Sequence, residues 1–168
     1  MKLRFWQGNK EVSSNNGFSE APERRESVKN MEKGEAKELL SFHSMRNENI
    51  DDTRWENGFL GSLRPFCGEL REENFVQVME CLGVLKEEFS APAIDREMTA
   101  DIVAIIHLTR AWMAPGGMLG SNHLLTEEQT ERLQAWVDII ETCFMYLLDD
   151  DVEDAFDDYE AYMRDEYI

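Results

Sequence analysis

At 168 residues and 19.5 kDa, with 42% hydrophobic residues, the chain is long enough to bury one core without disulfides or metal and too apolar to be disordered throughout. Its 35 Asp and Glu against 17 Lys and Arg give a formal net charge of −18. That balance disfavours direct contact with nucleic acid or anionic membrane and favours basic partners.

Residues 1–29 are rich in Ser, Asn, Gly, Glu and Arg, and only Leu3, Phe5, Trp6, Val12 and Phe18 stand out as apolar before Val28. This composition predicts a polar, near-neutral and loosely structured arm. Its first residues lack the apolar stretch of a signal peptide, so none is expected. The charge is also uneven along the chain. Residues 1–50 hold nine bases and eight acids, whereas residues 51–168 hold eight bases and 27 acids.

From residue 30 to 148 the pattern is helical and predicts one bundle domain. Leu39, Leu40, Phe42 and Met45 predict a helix over about 31–45. Asp51, Asp52 and Thr53 offer N-caps to a segment in which Trp55, Phe59, Leu60 and Leu63 keep helical spacing as far as Pro65, despite Gly58 and Gly61. In residues 69–89, Phe75, Val78, Met79, Leu82, Leu85 and Phe89 fall within about 120° of arc, the mark of an amphipathic helix. Asp95 caps a central helix in which Met98, Ile102, Ile105, Ile106, Thr109, Trp112 and Met113 share a face until Pro115, Gly116 and Gly117 end it. Ala100, Ala104 and Ala111 on its other side predict close approach of a second helix.

The connector at residues 115–122 reads as a helix–helix loop that exposes Met118 and Leu119 to a partner. It lacks the Lys-Ser/Thr ending of a phosphate-binding loop. Thr126 and Gln129 then form a capping box for a long helix burying Leu133, Trp136, Val137, Ile140, Cys143, Phe144 and Leu147. Val152, Phe156, Tyr159 and Met163 make another helical stripe, about 90° out of phase with the first, so a break is expected near residues 149–151. The expected architecture is an all-α, single-domain bundle of five or six helices with an N-terminal arm and an acidic C-terminal helix or tail over residues 149–168.

Chemistry-bearing motifs are sparse. Residues 149–160 place carboxylates at positions 1, 3, 5, 9 and 12 of a calcium-loop template, but Asp154 stands where the loop needs Gly for its turn, so a solvated acidic helix is the reading. His43, His107 and His123 lie on separate segments without zinc spacing, and Cys67, Cys81 and Cys143 form no CxxC pair. No metal, cofactor or catalytic site is expected. The odd, scattered thiols point to a reducing, cytoplasmic setting.

The tail carries the functional expectation. Asp149, Asp150, Asp151, Glu153, Asp154, Asp157, Asp158 and Glu160 supply negative charge, while Phe156, Tyr159, Tyr162 and Met163 supply candidate anchors for a basic groove. The expected role is stoichiometric binding of a basic protein, such as a toxin, nuclease or defence complex, by an immunity-type, antitoxin-type or nucleic-acid-mimicking inhibitor. The alternative is a helical adaptor or assembly subunit, homo-oligomeric or not, that binds through the alanine stripe or through Phe5 and Trp6.

Overall fold

The computed structural model describes residues 31–167, and the arm expected over residues 1–29 lies outside the described residues. α1 (Lys33–His43) turns Ala36, Leu40 and His43 inward at i, i+4, i+7 spacing. Its last turn also organises the segment after it. His43 is 2% exposed; its Nδ1 accepts the Phe59 N–H at 3.0 Å, so Nε2 carries the proton that it donates to Gln77 Oε1 at 2.9 Å.

The helix expected to run from about residue 53 to Pro65 is corrected. α2 (Thr53–Asn57) is a short segment capped by the Asp52 carboxylate, which accepts the Arg54 N–H. Beyond it the backbone donors are claimed by α1: Phe59 N–H by the His43 ring and Leu60 N–H by the His43 carbonyl at 3.0 Å. The chain also passes so close to itself that a Cβ on Gly61 would lie 2.2 Å from the Trp55 carbonyl oxygen. Phe59, Leu60 and Leu63 are buried nevertheless, so the apolar pattern marked the core while misreporting the backbone.

α3 (Glu72–Phe89) and α4 (Arg96–Met113) begin and end near the expected positions, and Asp95 caps α4 by accepting the N–H groups of Glu97 and Met98. By length and composition alone the stretch Arg96–Ser121, in which an 18-residue window has mean hydropathy 1.3, passes for a membrane span. Met98, Ile102 and Ile105 within it are at most 2% exposed in the bundle, which is the composition a core helix shares. Asp101 on the same helix is 4% exposed and accepts from Ser44 Oγ at 2.8 Å and Arg46 Nε at 2.9 Å. Burial raises its carboxyl above the ordinary value against those two donors.

Two expectations about surfaces are also corrected. Leu119 is not exposed: the connector folds into the single turn α5 (Met118–Ser121), which buries Leu119 to 1% and leaves Met118 half-buried. A Cβ on Gly117 would sit 2.1 Å from the Ala111 carbonyl oxygen, so glycine there permits the return. The alanine stripe is not covered along its whole length: Ala100 and Ala104 are half-buried, but Ala111 is exposed.

α6 (Glu127–Leu148) opens with the capping box that the spacing predicts, and Gln129 also donates to the Gly68 carbonyl at 2.8 Å. α1 packs against α3 and α4, and α6 packs against the same two helices. Phe75 stacks on Trp136 at 5.4 Å between them, with Phe59 edge-on to the indole at 6.4 Å. α7 (Asp157–Met163) closes the chain against α6. The all-α bundle is therefore observed. Six helices besides the turn α5 lie among the described residues, and no strand does.

Candidate functional site

The acidic C-terminal segment begins where α6 runs out of helix. Asp149 caps it, with its N–H on the carbonyls of Met145 and Tyr146, and Asp150 turns into the left-handed region at φ 61°. The expected break is there. Asp150 Oδ1 also accepts a hydrogen bond from Ser90 Oγ, which pins the turn to the end of α3.

The aromatic residues of this segment face the fold. Tyr159 meets Phe75 edge-on at 5.7 Å, and burial, with Glu80 and Glu72 adding, pushes its hydroxyl pKa up to about 12. Tyr162 meets the same ring at 5.2 Å; its oxygen accepts the Trp136 Nε1–H at 2.8 Å, and its hydroxyl donates to Glu72 Oε1 at 2.7 Å. Phe156 is half-buried against the core. Of the four anchors expected for a partner, three are engaged by the chain's own core, and Met163 alone is exposed, at 48%. The spacing could not reveal this, because an inward stripe and an outward stripe have the same period.

The hydroxyl relay from Trp136 through Tyr162 to Glu72 gives a first expected result. Tyr162→Phe removes both hydrogen bonds at once while keeping the ring, and costs about 1–2 kcal/mol of stability in urea unfolding. An unchanged midpoint would show that the relay does not hold α7 down.

The carboxylates present the opposite picture. Seven of the expected residues, Asp149, Asp150, Asp151, Glu153, Asp154, Asp157 and Asp158, form no ion pair among the described residues, while Glu160 meets Arg164 at 3.5 Å. Four of the bases are engaged around α1. Lys33 and Lys37 bind Glu88 at 2.9 and 3.4 Å, Lys37 also binds Asp95 at 2.9 Å, Arg46 binds Asp101, and Arg54 binds Asp52 at 2.8 Å. Those contacts hold the Glu88, Asp95 and Asp52 carboxyls below their usual range, in each case chiefly through the hydrogen bond to the base. Negative charge is thus met by bases around α1, whereas the acids of residues 149–158 meet none in an ion pair among the described residues.

A second feature runs against the sequence expectation. An open groove of about 290 Å³ runs between α4 and α6, lined by Val103, Ile106, Phe144 and Met145. Arg110 also lines it, held by both Glu141 oxygens at 2.8 and 2.6 Å and by Asp138 at 2.7 Å. Val103 and Met145 depart from the inward faces of their helices, and that departure is the one signal of the groove in the sequence. His107 also lines the groove and is exposed. Cys143, the thiol a cysteine–histidine pair would draw on, is 1% exposed, and burial pushes its pKa up to about 12, so it stays a thiol at neutral pH. Among the described residues no cluster of three or more His, Cys, Asp or Glu side chains is placed to hold a metal ion.

Compared with known protein families, curated proteins and solved structures, the chain matches none.

Proposed function

We propose that this protein is a stoichiometric binder of a basic macromolecule, presenting the carboxylates of residues 149–160 to a cationic surface that otherwise meets an anionic ligand. The observation that carries this reading is the run of seven carboxylates without an ion pair on a packed framework: Tyr159 and Tyr162 seat the segment, and Asp149, Asp150, Glu153, Asp154 and Asp157 are exposed while Asp151 and Asp158 are half-buried. A fixed negative surface accelerates association with a basic partner by about 10- to 1,000-fold at low salt. Inhibition comes from occupancy: a partner whose basic groove is covered cannot engage nucleic acid or another anion, which is the mode of immunity-type proteins and nucleic-acid mimics.

The same framework decides how the reading is tested. Deleting residues 149–168 would uncover Phe75 and Trp136, so loss of binding would mix charge with unfolding. Asp157→Asn, Asp158→Asn and Glu160→Gln together leave the core intact. In pull-downs followed by mass spectrometry at low salt, the triple variant is expected to recover its basic partner about tenfold less, and salt is expected to weaken the parent complex in the same direction. Recovery that ignores both the substitutions and ionic strength would end the electrostatic reading.

A second reading, an adaptor binding through apolar helix faces, draws on the exposure of Val103, Met145, Tyr146 and Leu148. A stable homo-oligomer in light scattering, indifferent to salt, would favour it.

A further inference from the structure

The groove between α4 and α6 combines features that each stand apart from the core. Val103 is 47% and Met145 51% exposed on its two walls, while Ile106 and Phe144 line it from within the bundle at 8% and 6%. At one end Arg110 is outnumbered by Asp138 and Glu141, which fix its guanidinium in place. One turn beyond Met145 at the other end, α6 gives way to Asp149, Asp150 and Asp151, none of them in an ion pair among the described residues. An apolar trough therefore runs from the Arg110 ion-pair cluster toward the start of an unpaired carboxylate run.

We propose that this groove seats one amphipathic helix of a basic partner, a deepening that rests on the charge reading above. Apolar residues at i, i+3 or i+4, and i+7 of such a helix would lie against Val103 and Met145, and flanking Lys or Arg would meet residues 149–151. Met145 suits the role because its unbranched thioether adapts to the shape pressed against it. A second copy of this chain is disfavoured as the occupant by charge. Residues 31–168 hold 31 acids and 11 bases, so pairing two such surfaces sets like charge against like.

The test uses the full chain and two labelled peptides of about 18 residues, read by fluorescence anisotropy at about 50 mM salt. Both contain the same Leu and Lys residues, one ordered as an amphipathic helix and the other scrambled to abolish its apolar face. The amphipathic peptide is expected to bind about tenfold tighter. Val103→Ser with Met145→Ser removes that preference without altering charge, and both positions are exposed, so folding is retained. Asp149→Asn, Asp150→Asn and Asp151→Asn weaken both peptides and flatten the salt dependence. Equal affinity for the two peptides, or a preference that survives the serine variant, overturns the groove and leaves the charge reading standing. Failure of both peptides to bind overturns the two together. A dimer in light scattering that Met145→Ser dissolves overturns the proposal in favour of self-association.

Discussion

Trp136→Ala is expected to lower the unfolding free energy by about 3–5 kcal/mol, the cost of removing the largest fully packed side chain of the core. The indole is 2% exposed, stacked on Phe75 with an interplanar angle of 5°, flanked by Phe59, and hydrogen-bonded to Tyr162. Truncation loses the transfer energy of the ring and leaves a cavity that α3 and α6 cannot close, because both are held by their other contacts to α1 or α4. At roughly 3 °C per kcal/mol for a domain of this size, the melting temperature falls by about 10 °C or more. Trp136→Phe separates the contributions. It keeps an aromatic face against Phe75 and loses the Nε1–H donor, so about 1–2 kcal/mol is expected. A cost below about 1 kcal/mol for the alanine variant in urea unfolding would mean that the indole is not seated in the core.

The bundle was legible because its long helices are written in redundant signals. In α4 the Asp95 cap, the spacing of Met98, Ile102, Ile105 and Thr109, and the Pro115 stop agree, and in α6 the capping box agrees with the apolar face. The segment after α2 was illegible because its termination is set from a distance. It depends on His43, a residue in another helix, accepting the Phe59 and Leu60 N–H groups, and no local pattern encodes that.

The candidate site divides along the same line. Which residues are acidic is a property of composition, and the break after Leu148 followed from phase. Which carboxylates stay unpaired depends on where the bases fold, and Lys33, Lys37, Arg46 and Arg54 are joined to acids 16 to 58 residues apart in sequence or only two away. The inward turn of Tyr159 and Tyr162 depends likewise on Phe75, which lies in α3.

Acidification supplies the second large effect, through His43. Burial lowers its pKa from 6.5 to about 4, against a smaller opposing contribution from Gln77. The unfolded imidazole takes up its proton near pH 6.5 and the folded one only near 4, so within that window the unfolded chain binds more protons. The stability contribution is therefore complete above about pH 6.5 and is lost as the pH falls to about 4, with a total of about 3 kcal/mol. Surface carboxylates complicate the raw curve, since approaching the isoelectric point of about 4.4 relieves the self-repulsion of the acidic chain. The difference between parent and His43→Gln isolates the histidine. Glutamine retains an acceptor for the Phe59 N–H and a donor for Gln77 but does not titrate. In urea unfolding the parent is expected to lead at pH 7, and the gap is expected to close or reverse by pH 4. Parallel stability curves for the two proteins across that range would show that His43 does not titrate between them, and that its ring is not held neutral by the junction of α1, α3 and the Phe59 turn.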